Sequence, residues 1–180
     1  MRIGILGGSF DPLHYGHLTL AGFAMREFKL DKVLFVPDSE SAYSDKVINA
    51  SLEDRVDMLA IALEGRSDYM LDTIAVENET TYTYEVVTAI KDKHKYDDLF
   101  LILGHDSGDK FKTWKNPDEI VSRCQTLVAN RDFDFPDIDI RSTIVRRRIK
   151  QNKDIKHLVP STVAFYINTR NLYGGNDVRT

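Results

Sequence analysis

The sequence lacks most of the features that mark a specialised class of protein. It has one cysteine, Cys124, in 180 residues, so no disulfide can form within the chain and no zinc site can be built from cysteine pairs. No apolar run approaches the roughly 20 residues that a membrane-spanning helix needs. The formal net charge is −4, which argues against a basic coat that binds nucleic acid. We therefore expect no membrane and no nucleic-acid partner.

The ordinary composition narrows the class further. Hydrophobic residues make up 42% and charged residues 29% of the chain, as in folded proteins with their own core. Residues 1–7 are too short and too soon broken by glycine to form a signal peptide. We predict a cytoplasmic enzyme or binding domain, with Cys124 as a buried core residue.

Short apolar runs alternate along the chain with segments of helical periodicity. Strands are predicted at residues 2–6, 33–36, 69–76, 99–103, 126–129 and near 138–140. Helices are predicted at residues 18–28, 51–63, 84–93, 117–123, from 142 onwards and at 161–168. Continuous apolar strands are typical of a parallel sheet covered on both faces. The predicted class is α/β, a Rossmann-like parallel sheet with helices on both faces.

One domain over residues 1–180 accounts for this order of elements. Within it we expect a small C-terminal helical part at about residues 141–173 and a flexible polar tail at 174–180. Sheets of this kind bind ligands at the carboxyl ends of their strands. The loops that follow the strands are therefore where functional residues are expected.

The loop after the first strand, GGSFDPLHYGH at residues 7–17, has the features of an anion site. Its glycines let backbone amides approach a ligand, and the positive end of the next helix starts near Gly16. His14 and His17 can both face that point, with Gly16 leaving room for a bulky group. A phosphate chain suits this geometry, although neither a dinucleotide fingerprint nor a P-loop is present. An ordinary glycine-rich turn with structural histidines is the alternative.

The segment RSTIVRRRI at residues 141–149 is a second candidate for anion binding. Ser142 and Thr143 stand where a helix begins and offer hydroxyls and free amides. Arg146 lies one turn further on the same face as Ser142, where a guanidinium can hold phosphate and stabilise charge that develops during transfer. Arg147 points elsewhere. A solvated basic helix or a nucleic-acid patch is the alternative.

Both segments resemble the signatures of the HxGH nucleotidylyltransferase superfamily. The loop matches Gly-x-Phe-Asp-Pro-x-His-x-Gly-His, and the helix matches Ile-Ser-x-Thr-x-Ile-Arg-x-Arg with Arg141 where serine is usual. The resemblance implies ATP as a substrate, with Mg²⁺ carried on ATP rather than in a protein metal site. The implied catalytic residues are His14, His17 and Arg146. The implied ATP-binding residues are Gly8, Ser9, Phe10, Ser142, Thr143 and Arg148.

Other segments resemble the nicotinate-nucleotide adenylyltransferase branch of bacterial NAD biosynthesis. They are TYT at residues 81–83, GHDS at 104–107 with the single tryptophan, Trp114, and the helix at 51–59. An indole can stack on an aromatic ring, and the resemblance implies that Trp114 stacks on the pyridine ring. The implied mononucleotide-binding residues are Thr83, Asp106, Trp114 and the amide of Lys115. We therefore predict transfer of AMP from ATP to nicotinate or nicotinamide mononucleotide.

The chain departs from this branch in three places. Residues 41–44 replace the usual Pro-Pro-His-Lys that helps hold the mononucleotide phosphate, and Lys46 is our candidate to compensate. His105 stands where a small or polar residue is usual, and the segment 130–140 is shorter than in typical members. The preference for the acid or the amide mononucleotide stays open, and the sequence is compatible with a homo-oligomer.

Two alternative functions stay open. One is a sister adenylyl- or cytidylyltransferase acting on phosphopantetheine, flavin mononucleotide or a polyol phosphate, against which Trp114 and the TYT segment argue. The other is a nucleotide-binding regulator that has kept the ATP loop but lost turnover. The missing Pro-Pro-His-Lys is the best support for the regulator.

Overall fold

The computed structural model describes residues 1–39, 47–80, 82–130, 132, 134–136 and 138–174. A parallel sheet organises them, with five strands in the order β3-β2-β1-β4-β5. The strands are β1 (Arg2–Gly8), β2 (Lys32–Pro37), β3 (Tyr69–Leu71), β4 (Asp98–Leu103) and β5 (Gln125–Val128). The predicted α/β class with a parallel sheet is confirmed.

Helices connect the strands and extend beyond the last one. They are α1 (Tyr15–Phe28), α2 (Leu52–Leu63), α3 (Ile74–Glu77), α4 (Thr83–Lys93), α5 (His105–Lys110), α6 (Pro117–Arg123), α7 (Ser142–Lys150) and α8 (Ser161–Thr169). Short 3-10 turns lie at Phe111–Thr113 and Leu172–Gly174. Among the helices of the described segments, none combines the length and apolar character that a membrane crossing requires.

The central strands are buried on both faces because each is a run of apolar residues. In β2, Val33 and Phe35 pack on the face covered by α1 and α2, whereas Leu34 and Val36 pack on the face covered by α3, α4 and α6. Full burial of one such side chain contributes about 1.5–3 kcal/mol to folding. The sheet is therefore a rigid platform for the loops at its carboxyl edge.

The C-terminal helices pack on α2 rather than on the sheet. Val145 and Ile149 of α7 and Val163 of α8 form a buried cluster with Met58 of α2. The 3-10 turn at Leu172–Gly174 contributes to the same cluster. The division into a single domain with this helical part stays a prediction, and residues 175–180 lie outside the described residues.

Two local predictions from the sequence were wrong, and one helix was missed. β3 ends at Leu71, because the Asp72 carboxylate accepts the amide of Ile74 at 3.0 Å and starts α3. Residues 138–140 form no strand, because the amide of Ile140 donates to the carbonyl of Ile138 at 2.8 Å in a tight turn. α5 was not predicted, because its sequence HDSGDK has no apolar periodicity.

The sheet changes winding direction at its central strand. β1 pairs with β2 on one side and with β4 on the other, so the chain leaves the carboxyl ends of β1 and β4 in opposite directions. A crevice at such a switch point is where open α/β sheets bind ligands. The loop after Gly8 and the turn after Leu103 border this crevice.

Candidate active site

His14 and His17 stack on one another at the start of α1. Their ring centroids are 3.7 Å apart, and the amide of His14 donates to Nδ1 of His17 at 3.3 Å. Because Nδ1 of His17 accepts this bond, the proton of that ring is on Nε2. A Cβ on Gly16 would lie 2.9 Å from Nδ1 of His14 and 3.0 Å from the carbonyl oxygen of Ile140. This packing therefore fills the space at Gly16. It does not leave the room for a bulky group that the sequence suggested.

Burial sets the protonation state of His14. The side chain is 6% exposed, and burial lowers its pKa to about 4 because the charged form loses its hydration. Its Nδ1 atom is buried without a hydrogen-bond partner among the described residues. His14 is therefore a neutral ring at pH 7 and can offer an anion a hydrogen bond but no charge.

Asp11 is the centre of a buried hydrogen-bond network in the first loop. Its side chain is 2% exposed. Oδ1 accepts the amide of Ala50 at 3.0 Å and the hydroxyl of Tyr173 at 2.9 Å, and Oδ2 accepts the amide of Asn49 at 2.8 Å. Arg146 Nη1 lies 3.4 Å from Oδ2 and also donates to the Asp11 carbonyl oxygen. A single carboxylate thus joins segments far apart in the sequence.

The start of α7 packs directly against the first loop. Ser142 Oγ donates to the carbonyl of Pro12 at 3.0 Å, and Arg146 of the same helix contacts Asp11. The two anion-binding segments predicted from the sequence therefore meet. We call the set Asp11, His14, His17, Ser142 and Arg146 the histidine–arginine cluster.

Gly8, Ser9 and Phe10, which were also predicted to bind ATP, lie at and just after the end of β1. Gly8 is the last residue of β1, and the carbonyl of Ser9 accepts a hydrogen bond from Arg55 Nη1 at 2.9 Å. Phe10 has a left-handed backbone (φ 46°), and its ring packs on His17 with centroids 4.9 Å apart.

The basic residues of α7 do not share one direction. Thr143, Arg146, Arg147 and Lys150 line a groove of about 610 Å³ together with Asn49. Arg148 instead donates from Nε to the carbonyl of Asp154 at 2.8 Å, so its role in ATP binding stays a prediction.

A cavity of about 290 Å³ follows the end of β4. Its lining includes Gly104, Asp106, Asn130, Ile140 and Arg141. Arg141 Nη1 lies 3.3 Å from the Asp106 carboxylate. The structure therefore brings Asp106 to the α7 side of the crevice, whereas the sequence grouped it with Trp114.

Aromatic side chains lie at the start of α4 and in the segment that follows α5. Lys115 Nζ lies 3.9 Å above the ring of Tyr82 and 5.9 Å from that of Tyr84. Trp114 is half-buried against Phe111, with centroids 5.5 Å apart. We call the set Tyr82, Tyr84, Phe111, Trp114 and Lys115 the aromatic cluster.

Two more residues, Thr83 and Lys46, were predicted to contact the mononucleotide. Thr83 is the first residue of α4 and is bonded in sequence to Tyr82 and Tyr84. Lys46, like the residues 41–44 that replace Pro-Pro-His-Lys and like Thr81, lies outside the described residues.

Sequence reasoning gave no role to Arg55, which is the largest fully buried side chain among the described residues. Its Nη1 donates to the carbonyls of Ser9 and Asp38 at 2.9 Å each, so it ties the loops after β1 and β2 together. Burial lowers the pKa of Arg55, and nearby carboxylates including Asp11 oppose that shift. A basic residue on the inner face of the predicted 51–63 helix was the signal that could have found it.

The comparisons with known proteins come from both sequence and structure. The cytidylyltransferase-like family matches residues 5–148. A protein of Borreliella burgdorferi named a probable nicotinate-nucleotide adenylyltransferase is 36% identical, with 96% of this chain and 97% of that protein covered. A protein of the same name from Lactiplantibacillus plantarum is 34% identical, with 98% and 90% covered.

A solved structure shares the fold over nearly the whole chain. It is the nicotinic acid mononucleotide adenylyltransferase of Plasmodium falciparum, described as complexed with NaAD. The TM-score is 0.77 at 20% identity, with 97% of this chain and 98% of that chain covered. At this identity the likeness establishes the arrangement of strands and helices.

Proposed function

The chain belongs to the cytidylyltransferase-like family, and we propose that it transfers the adenylyl group of ATP to nicotinate or nicotinamide mononucleotide. It is a nucleotidyltransferase of NAD biosynthesis that forms a dinucleotide and pyrophosphate. Relatives with nicotinate-nucleotide adenylyltransferase in their names support the assignment at 34% and 36% identity over nearly the whole chain. The observation that carries the proposal is the meeting of the stacked histidines with the start of α7 at the switch point.

In the proposed reaction, a phosphate oxygen of the mononucleotide attacks the α-phosphorus of ATP. A new P–O bond forms while the bond from the α-phosphorus to the oxygen bridging to the β-phosphate breaks. Pyrophosphate leaves with that electron pair. Because the attacking phosphate is already anionic, no side chain has to remove a proton from it. Catalysis then consists of positioning and charge stabilisation.

We assign charge stabilisation to His17 and Arg146. His17 carries its proton on Nε2, since Nδ1 accepts the His14 amide, and we propose that this N–H donates to a phosphate oxygen. Arg146 uses Nη1 for Asp11, which leaves the edge formed by Nε and Nη2 for a bidentate contact with phosphate. His14 contributes as a neutral donor, because its pKa of about 4 leaves it uncharged at pH 7.

The remaining phosphate contacts fall to backbone and hydroxyl groups. Both α1 and α7 begin at the crevice, and the first amides of a helix have no intrahelical acceptor and favour anions. We propose that the amides after Gly8, at Ser9 and Phe10, and those of Ser142 and Thr143 hold the triphosphate.

The aromatic cluster suits the pyridine half of the acceptor. Trp114 offers a half-buried flat ring for stacking. The Lys115 amide follows it in the chain and Thr83 begins α4, and we propose both as donors for the carboxylate of the pyridine ring. Asp106 is proposed to bind a ribose hydroxyl, with Arg141 as its neighbour.

Magnesium enters with the nucleotide as MgATP. In the segments that the structure describes, no group of three or more His, Cys, Asp and Glu side chains is arranged to hold a metal ion. We propose that the ion arrives on ATP and leaves with pyrophosphate, since Mg²⁺ is commonly bound through substrate phosphates. The cytoplasmic location and the homo-oligomer stay predictions.

A pyrophosphate-release assay tests the function. ATP is offered with nicotinate mononucleotide, nicotinamide mononucleotide or phosphopantetheine, and we expect release with a pyridine mononucleotide. Release with phosphopantetheine alone would identify a sister transferase. ATP binding without release from any acceptor would identify a regulator. The exposed Lys153→Ala variant serves as a matched surface control that should behave as the wild type.

A further inference from the structure

The Asp11 network connects Arg146 to the last described turn of the chain. We propose that Tyr173 is a positioning residue for Arg146, because its hydroxyl fixes the Asp11 carboxylate that in turn holds the guanidinium. The inference rests on the proposed function, in which Arg146 stabilises the transferring phosphate. It gives the C-terminal helical part an indirect role in the chemical step, through Asp11 and Arg146.

Tyr173 is placed to make this one contact. Its side chain is 9% exposed, and its hydroxyl donates to Asp11 Oδ1 at 2.9 Å across 162 residues of sequence. The residue has a left-handed backbone (φ 66°, ψ 18°), a conformation that is uncommon and unfavourable for a tyrosine. Burial and the neighbouring Asp11 raise the pKa of Tyr173, so the hydroxyl stays protonated and remains a donor.

The network transmits this contact to Arg146. Tyr173 and the Ala50 amide fix Oδ1, while Asn49 and Arg146 contact Oδ2, so both carboxylate oxygens are held. Without the hydroxyl, Oδ1 keeps only the Ala50 amide from this set, and the carboxylate gains freedom to rotate. The Arg146 guanidinium then keeps its bond to the Asp11 carbonyl oxygen but loses a fixed carboxylate partner, and small displacements of a charge-stabilising group slow the chemical step.

A matched control exists in the same helical part. The Tyr166 hydroxyl likewise contacts carboxylates and shares its one proton between Asp54 Oδ1 at 3.1 Å and Asp57 Oδ2 at 2.8 Å, both on α2. Asp54 is in turn paired with Arg170 rather than with Arg146. Tyr166→Phe therefore removes the same chemical group from the same region without touching the Asp11 network.

The first measurement is steady-state pyrophosphate release. Since a hydrogen bond to a charged group is at stake, Tyr173→Phe should lower kcat about tenfold and leave the KM for ATP within about twofold. Tyr166→Phe should leave kcat within about twofold. An equal loss of kcat in both variants, or a loss seen only in KM, would overturn the inference.

A double-mutant cycle shows whether the effect passes through Arg146. In the Arg146→Ala background, Tyr173→Phe should change kcat by less than about twofold, because the group being positioned is absent. A tenfold loss that persists in this background would contradict the proposal.

A spectroscopic readout is independent of turnover. In ¹⁵N-edited NMR spectra, the Arg146 Nε–H signal, assigned by its loss in Arg146→Ala, should shift or broaden in Tyr173→Phe but not in Tyr166→Phe. An unchanged signal would overturn the inference. If the signal responds but no acceptor supports pyrophosphate release, the proposed function fails while the positioning contact stands.

Discussion

The histidine–arginine cluster and the aromatic cluster are built in different ways. The first is joined by polar contacts between distant parts of the chain, such as Ser142 with Pro12 across 130 residues and Arg146 with Asp11 across 135. The second gathers residues between positions 82 and 115 through ring packing and the ammonium of Lys115 above Tyr82. Asp11 is 2% exposed, whereas Trp114 is half-buried and Lys115 exposed.

We infer from this difference that the histidine–arginine cluster serves the chemical step and the aromatic cluster serves recognition of the mononucleotide. A buried network in which both oxygens of a carboxylate are held can keep a catalytic group within a few tenths of an ångström. Half-buried rings can adjust to a planar ligand and contribute binding energy without fixing reacting atoms. We therefore expect changes in the histidine–arginine cluster to alter kcat, and changes in the aromatic cluster to alter KM for the mononucleotide.

The largest expected effect is at His17. His17→Ala removes the donor that we propose for the transferring phosphate, so kcat for pyrophosphate release should fall by at least about a hundredfold. The far-UV circular dichroism and the melting temperature should stay close to those of the wild type. A variant with near-normal turnover would show that this cluster does not carry the chemistry.

The next effect is a pH dependence of stability from His14. Its folded pKa of about 4 lies below the ordinary 6.5, so the unfolded chain binds a proton first as the pH falls. The stabilisation is present above pH 6.5 and is lost between pH 6.5 and 4. Urea unfolding should show that wild type loses about 2–3 kcal/mol more than His14→Gln across this window. If wild type and His14→Gln lose stability equally across this window, the lowered pKa of His14 is contradicted. His105→Gln, at an exposed histidine, is the control.

A smaller effect is expected in the aromatic cluster. Trp114→Ala should raise the KM for nicotinate mononucleotide about three- to tenfold, because ring stacking is lost, while kcat changes little. Trp114→Phe should recover part of this binding. A loss confined to kcat would break the division between the two clusters.

The smallest effect is expected at Arg141, which directly precedes α7. Its ion pairs with Asp106 and Asp139 are exposed, with 64% of the Arg141 side chain accessible. Arg141→Ser should therefore change the free energy of unfolding by less than about 1 kcal/mol, measured by urea unfolding. A larger loss would mean that this ion pair is part of the fixed network.

Parts of the fold and site were predictable because their signals are local. Apolar runs ended by glycine predicted β1 and β4, and the Ser51 cap, which accepts the Asp54 amide at 3.0 Å, marked the start of α2. Both anion-binding segments were predicted because helix starts with hydroxyls and histidines are visible in sequence. α5 was missed because its sequence has no periodic apolar pattern. It packs closely on β5 instead, where a Cβ on Gly108 would lie 2.1 Å from Val128.

The sequence alone determined the class of sheet, and it predicted the two segments proposed to bind anions and the single tryptophan proposed to bind the pyridine ring. Only the tertiary structure decided that Asp11 holds Arg146, that Tyr173 completes this network and that Asp106 faces Arg141. The physical reason is distance along the chain. Strand and helix signals come from neighbouring residues, whereas a buried carboxylate finds its donors up to 162 residues away, where burial makes every missing hydrogen bond costly.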